Sequence, residues 1–160
     1  MRTHEWTPER LGNTLAELRR YSGDTHRLEV KKAHDGYPKS LDDTLCSFSN
    51  IHGGGTIICG VAEKESFKPV GVYDIAQLEK TVASKLRKQL VPPNTCVFYR
   101  VEYGGHDILV IEVPGLPASQ RPARIGKDYY VRVGDGDHLM DEYEVTLMLS
   151  QRERRNYDAE

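Results

Sequence analysis

The sequence has little of what would place a protein at once in a functional class. It contains 3 cysteines in 160 residues, an odd number at wide spacings in apolar surroundings. That pattern argues against a disulfide framework and against a zinc site. The longest apolar runs, such as residues 108–111, are far too short to span a bilayer. Charged residues near the N-terminus argue against a secretory signal. We therefore expect a cytoplasmic protein with reduced thiols and no membrane partner.

A large excess of charge of either sign is also missing. The net charge is −2 and the isoelectric point about 6.3, whereas domains that hold nucleic acid by bulk charge are strongly basic. Any contact with nucleic acid must therefore depend on a local patch. The glycines at 53–55 are not followed by Gly-Lys-Ser/Thr, and Gly-x-Ser-x-Gly does not occur. A P-loop and a serine hydrolase of that type are therefore excluded. The 6 histidines form no helical pair suited to zinc.

What the sequence does contain is a succession of amphipathic helices and short strands. Four helices are predicted from apolar stripes, beginning near Thr7, Ser40, Asp74 and Asp141. Those at Thr7, Asp74 and Asp141 also start with a capping residue. Strands are predicted at residues 27–31, 56–61, 70–72, 96–103, 106–113 and 129–133. Gly104-Gly105 predicts a tight hairpin, residues 64–69 a polar loop, and residues 134–137 a turn. Asp135 and Asp137 are interpreted as turn residues, because Leu139 stands where a calcium loop needs a ligand. This order predicts one α+β domain in which a mixed sheet packs against helices.

The stretch 23–63 carries the candidate chemistry. Glu29 and Lys31 share one face of the first strand, because side chains alternate along a strand. The second strand ends close to Glu63, so two strand ends and one loop could bring Asp24, Glu29 and Glu63 together beside Lys31.

Three adjacent carboxylates repel each other unless a cation neutralises them, and Mg²⁺ or Mn²⁺ suits oxygen ligands. Such an ion could generate hydroxide and stabilise a phosphoryl oxygen, with Lys31 on the scissile phosphate. The structural alternative makes Asp24 a turn cap, Glu29 an ion-pair partner of Lys31 or Arg27, and Glu63 a solvated loop residue.

A second candidate site is a late basic and aromatic patch. It consists of Arg121, Arg124, Lys127, Tyr130 and Arg132, to which Lys31 and Lys32 would add. Arginine beside an aromatic ring suits phosphate contact and base stacking. The alternative is an edge strand guarded by charge. The basic residues at 152–155 are interpreted as a solvated helix face.

A third group of residues is predicted to be structural. Its members follow or end the second helix and the second strand: Phe48, Asn50, Gly53, Gly54, Gly55 and Gly60. The glycines allow positive φ where the chain leaves the helix, and Asn50 is expected to bond loop backbone.

Several motifs together resemble the Schlafen AlbA-like domain family. They are Leu-Glu-Val-Lys at 28–31, Phe-Ser-Asn-x-x-Gly-Gly-Gly at 48–55 with Gly-Val-x-Glu at 60–63, Tyr-Tyr-Val-Arg-Val-Gly at 129–134, and residues 121–127. The resemblance implies that residues 1–160 form a single domain of this family. Its parts would be an N-terminal helix at 1–22, a core at 23–151 and a tail at 152–160 that continues into further domains. In bacterial relatives the domain precedes an ATPase-like domain and is assigned to DNA binding or transcriptional regulation.

Vertebrate members of that family cut transfer and ribosomal RNA with three carboxylates, which correspond here to Asp24, Glu29 and Glu63. Asp24 stands where glutamate is usual, and Glu63 where aspartate is usual. The resemblance thus implies a nucleic-acid-binding, regulatory domain, as a homodimer or within a longer chain, whose partner is DNA or structured RNA. The alternatives are an Mg²⁺- or Mn²⁺-dependent endoribonuclease and a protein-interaction module with a silent site.

Overall fold

The computed structural model describes residues 5–21, 23 and 25–159, with side chains as far as residue 156. Asp24, predicted to belong to the carboxylate cluster, lies outside the described residues. The helices are α1 Pro8–Tyr21, α2 Leu41–Ser49, α3 Ile75–Ser84 and α4 Glu142–Ala159. The strands are β1 Leu28–Lys31, β2 Gly55–Cys59, β3 Val61–Ala62, β4 Lys68–Pro69, β5 Leu90–Val91, β6 Val97–Tyr103, β7 His106–Val113, β8 Arg124–Ile125, β9 Tyr130–Val133 and β10 Gly136–Leu139.

The central sheet has the strand order β1-β2-β7-β6. β1 runs parallel to β2, whereas β7 is antiparallel to both β2 and β6. The sheet is therefore mixed, and the predicted α+β class is confirmed. The β6–β7 hairpin closes at Gly104-Gly105, whose φ angles are +59° and +78°, as the glycine pair predicted.

Helices cover both faces of this sheet. Along β2, Ile57 and Cys59 face the cluster formed with α2 and α3, while Ile58 faces the cluster formed with α1. Burial on both faces explains why residues 108–111 are continuously apolar, since neither set of alternate side chains meets water. The predicted stripe of α1 is fully buried at Leu11 and Leu15.

Two local predictions were wrong, and both concern short segments. Residues 70–72 are not a strand: they have no regular secondary structure, and the amides of Val70 and Gly71 both donate to the single carbonyl of Gly60. The returning strand is β4, inside the predicted loop. The turn predicted at 134–137 is only Gly134-Asp135, and Asp137 is a strand residue opposite Arg132 in the β9–β10 hairpin.

The predicted helix caps at Asp74 and Asp141 are present. The Asp74 carboxylate accepts a hydrogen bond from the Gln77 amide at 3.1 Å. Asp141 and Glu144 bond each other's amides at 2.8 and 3.0 Å, which is a capping box. Across residues 5–21, 23 and 25–159, no helix combines the length and apolarity that a membrane crossing needs.

Candidate functional site

Glu29 lies on β1, the edge strand of the sheet, on the side that faces α2 rather than α1. Its neighbour Val30 points the other way, into the cluster with α1. The Glu29 carboxylate is only 12% exposed, and its two oxygens have different cationic partners. Oε1 lies 3.2 Å from Lys31 Nζ, and Oε2 lies 2.8 Å from Arg132 Nη2. Lys31 Nζ also donates to Ser40 Oγ at 3.0 Å. The predicted proximity of Glu29 and Lys31 is therefore present as an ion pair.

Arg132 reaches Glu29 from β9, and its side chain has 0% exposure. Besides Glu29, the guanidinium contacts Asp137 Oδ1 at 3.0 Å and lies 4.9 Å from the centre of the Phe48 ring. It also donates to the carbonyl oxygens that lead into β1, those of Thr25, His26 and Leu28. Burial disfavours the charged form, but the two carboxylates outweigh it and raise the pKa of Arg132.

Asp137 extends this contact to α2. Its oxygens accept hydrogen bonds from Thr44 Oγ1 at 2.6 Å and Ser47 Oγ at 2.5 Å. We call Glu29, Lys31, Arg132 and Asp137 the Glu29 network. It joins β1, the β9–β10 hairpin and α2 through alternating charges. Nearby, burial and then the charge of Asp137 raise the pKa of Asp43.

The Glu29 network corrects two predictions about nucleic-acid contact. Arg132 is buried, so its guanidinium cannot meet a phosphate at the surface. Lys31 is bonded to Glu29 and Ser40 and is 15% exposed, which makes it part of the same structural network. Lys32 is exposed, and lines a surface hollow after β1 with His34 and Tyr37.

The described acids do not fit a shared metal ion. Both oxygens of Glu29 already meet cations, which leaves little negative charge for a metal to neutralise. Glu63 is exposed beyond β3, where it lines a hollow with Arg19 and Ser66. Within residues 5–21, 23 and 25–159, no three His, Cys, Asp or Glu side chains are grouped as metal ligands. The full Asp24–Glu29–Glu63 cluster stays a prediction, because Asp24 is outside those residues.

Asn50, at the end of α2, fixes the chain segment that precedes β9. Its Oδ1 accepts from the Ala123 amide at 2.6 Å, while its Nδ2 donates to the carbonyls of Ala123 at 2.9 Å and Tyr130 at 2.8 Å. Asn50 is 3% exposed. The prediction that it bonds loop backbone is confirmed, and its bonds hold both ends of the segment 123–130.

The glycines after Asn50 bring α2 close to the sheet. A Cβ on Gly54, whose φ is +68°, would lie 1.9 Å from the Val113 carbonyl oxygen. A Cβ on Gly55 would lie 2.6 Å from the ring of Phe48. Phe48 is fully buried and stacks under Arg132. The structural interpretation of the Phe48–Gly55 motif therefore agrees with its packing.

The rest of the basic patch lies on the segment held by Asn50, residues 123–130, or just before it. Arg124 is half-buried and donates to the Gly126 carbonyl, and Lys127 is exposed at the tip of the same turn. Arg121 is half-buried just before the segment. Tyr130 is half-buried and packs against the core. Burial, followed by the charge of Asp43, raises the Tyr130 pKa. Tyr130 thus packs between the segment and the core. The cations that this part of the patch leaves accessible are Arg121, Arg124 and Lys127.

Sequence reasoning missed the role of Asp137, which was interpreted as a turn residue. A signal was available, because Arg132 and Asp137 become directly opposite partners once a two-residue turn is placed at Gly134-Asp135. Thr44 and Ser47 carried no such signal. They are ordinary helix residues until tertiary packing brings Asp137 above them.

These contacts explain why separated motifs occur together in one chain. Glu29 and Lys31 come from the first motif, Phe48 and Asn50 from the second, and Arg132 from the last. The family model "Schlafen, AlbA_2" matches residues 24–141. The chain therefore belongs to the Schlafen AlbA_2 family, as the motifs predicted. Domains of this family are associated with nucleic acids and occur at the N-termini of longer chains.

Among the solved structures that share the fold are two from bacteria. One is the N-terminal domain of a protein from Nitrosomonas europaea named as related to the ATP-dependent DNA helicase RecG. It is 22% identical, the match covers 82% of this chain and 94% of that one, and the TM-score is 0.59. The other is the DIP2311 protein of Corynebacterium diphtheriae, at 20% identity and a TM-score of 0.52. That match covers 81% of this chain and 26% of the other, so this chain corresponds to about a quarter of it. A comparison with curated proteins finds no match.

Proposed function

We propose that this domain binds DNA or structured RNA through the basic segment 121–127 and carries out no reaction of its own. The observation that carries the proposal is the anchoring of that segment. Asn50 holds the backbone at Ala123 and Tyr130, and the buried Glu29 network holds the strand that follows. Arg124 and Lys127 are therefore presented on a segment anchored at both ends, and Arg121 lies just before it.

A fixed turn suits phosphate binding for a physical reason. Ordering flexible side chains and loops on binding costs free energy, and a segment that is already ordered avoids part of that cost. The Arg124 guanidinium is oriented by the Gly126 carbonyl, and Lys127 extends from the same turn. Because the chain as a whole has a net charge of −2, such a local patch would supply most of the attraction.

The test compares the turn with a matched helix surface. Fluorescence anisotropy with a labelled DNA duplex and a labelled tRNA would be measured across a salt titration for wild type, R124Q, K127Q and K88Q. Lys88 is exposed in the segment that follows α3 and serves as the charge-matched control. For the duplex, the logarithm of the binding constant falls linearly with the logarithm of the salt concentration. Each lost phosphate contact should make that slope shallower by about 0.9. Equal effects of K127Q and K88Q would contradict the proposal.

The same sample tests the endoribonuclease alternative. The pairing of both Glu29 oxygens with cations supports binding without cleavage. We therefore expect tRNA to remain intact in Mn²⁺, and affinity to be unchanged by EDTA. Cleavage that requires Mn²⁺ and is lost in E63Q would overturn this part of the proposal. E63Q is the suitable variant because Glu63 is exposed, so its substitution leaves the core unchanged.

We also propose that the domain works as a homodimer or as part of a longer polypeptide. The support for a longer polypeptide is the Corynebacterium diphtheriae protein, in which a region like this chain forms 26% of the length. Light scattering over a range of concentrations tests the dimer. A strict monomer that binds nucleic acid with full affinity would remove the dimer from the proposal.

A further inference from the structure

A cavity of about 190 Å³ lies between the turn at residues 118–121 and the last helix, α4. Its lining combines three arginines with one amide and two apolar side chains: Arg121, Arg152, Arg155, Gln151, Ala118 and Met148. No carboxylate lines it among the side chains that the structure describes. Three cations around one small cavity repel each other, and an anion inside it would relieve that repulsion.

Arg121 supplies the second observation. Its Nε is buried and has no hydrogen-bond partner. Buried polar groups in proteins are nearly always bonded, and an unbonded donor on a charged group is especially unfavourable. Arg121 also has no ion pair within residues 5–21, 23 and 25–156. Because this Nε is shielded from solvent, it lies behind the part of Arg121 that lines the cavity, and a ligand there would meet the terminal nitrogens of the guanidinium.

Arg152 and Arg155 complete the donor set from α4. Arg152 Nη1 donates to the Pro122 carbonyl at 3.3 Å, which holds its guanidinium beside Arg121. Arg155 is exposed on the next turn of the helix and lines the same cavity. Guanidinium groups match the oxygens of a phosphate by paired, charge-assisted hydrogen bonds. A cavity of 190 Å³ exceeds the volume of one water, about 30 Å³, several times.

We propose that this cavity is a phosphate-binding site, and that its ligand is a phosphate of the nucleic-acid backbone. The second part rests on the proposed function, because Arg121 begins the basic segment 121–127 and so makes the cavity continuous with it. The site adds Arg152 and Arg155 of α4 to the surface, two residues whose sequence pattern had suggested only a solvated helix face. A free phosphate offers the same oxygens as a backbone phosphate, so the experiment must separate the two sources.

The matched pair of variants is R155Q and R154Q. Both remove one positive charge from adjacent positions of α4, but only Arg155 lines the cavity. R121K is a third variant, which keeps the charge and removes the planar guanidinium that can bond a phosphate at two points. The first measurement follows the Arg121 Nε–H signal by NMR during a titration of wild type with inorganic phosphate and with pyrophosphate. We expect it to shift for wild type and R154Q, and to shift little for R155Q.

The second measurement is affinity for a labelled DNA duplex over a salt titration. R155Q should weaken binding about fivefold at physiological salt and lower the salt slope by about 0.9, as expected for one lost phosphate contact. R154Q should change both values much less. R121K should weaken binding despite its unchanged charge.

The outcomes distinguish this site from the proposed function. If R155Q and R154Q weaken duplex binding equally and phosphate leaves the Arg121 signal unmoved, water fills the cavity and the site is wrong while the domain still binds nucleic acid. If phosphate binds and R155Q abolishes that binding, but no duplex or tRNA binds wild type, the cavity is a site for free phosphate. The backbone phosphate as its ligand and the proposed function are then both wrong. If neither phosphate nor nucleic acid binds to wild type, both proposals are wrong.

Discussion

The replacement of Arg132 by methionine tests the central structural claim, that a buried charge network holds this domain together. Methionine keeps much of the length and apolar surface of the side chain and removes the guanidinium. R132M leaves Glu29 Oε2 without its partner at 2.8 Å and Asp137 Oδ1 without its partner at 3.0 Å. Both carboxylates remain in a buried position, with side-chain exposures of 12% and 13%.

The expected loss follows from burial. Removal of one partner from a buried ion pair costs about 3–5 kcal/mol, because a charge is left uncompensated away from water. The loss should fall near the lower end, since Glu29 keeps Lys31 and Asp137 keeps the hydroxyl groups of α2. Domains of this size lose about 2–4 °C of melting temperature per kcal/mol. R132M should therefore melt roughly 6–12 °C below wild type, since about 3 kcal/mol is lost at about 2–4 °C per kcal/mol.

The assay is thermal and urea denaturation, each followed by circular dichroism, with R100M as the control. Arg100 also makes a two-point contact with a glutamate, Glu79, at 2.7 and 2.9 Å, but its side chain is 55% exposed. Solvent screens exposed pairs, so R100M should shift the midpoint only slightly. E29Q placed on R132M should recover part of the loss, since it removes the unpaired charge.

The reasoning fails if R132M and R100M lower the urea midpoint by the same amount. It also fails if E29Q on the R132M background destabilises the domain as much as E29Q does alone. Either result would mean that the Glu29 network contributes no more than a surface ion pair.

Two further predictions concern the core. G54A should fail to fold, because its Cβ would lie 1.9 Å from the Val113 carbonyl oxygen. The matched control is G104A, which has a similar φ and open space around it, so it should fold with a modest loss of stability. The soluble yield of the two variants checks this prediction. Burial raises the pKa of Cys46 and Cys59 to about 12, so neither should react with a thiol reagent at pH 8 until urea unfolds the protein. Since a raised thiol pKa means that the folded state holds its proton more tightly, the stability from these thiols is full below their ordinary pKa of 9.0 and is lost as the pH rises towards 12. If a thiol reagent labels the native protein at pH 8 as fast as the unfolded protein, Cys46 and Cys59 are not buried thiols of raised pKa.

The sequence by itself determined the helices, the long hairpin and the family. Their signals are local: capping residues at Asp74 and Asp141, a glycine pair at 104–105, and apolar periodicity along α1. Such patterns act within a few residues, so they can be interpreted before anything is known of the fold. The short strands were less predictable, because the irregular conformation of residues 70–72 depends on hydrogen bonds to a distant carbonyl, that of Gly60.

Only the tertiary structure decided what the charged residues do. Glu29 and Arg132 look alike in the sequence whether they face solvent or each other, yet 103 positions separate this buried pair. Arg121 and Arg155 likewise come from different segments and share a cavity only because α4 packs against the turn at 118–120. The energy of a charge depends on its burial and its partners, and both are properties of the folded chain rather than of any local stretch of sequence.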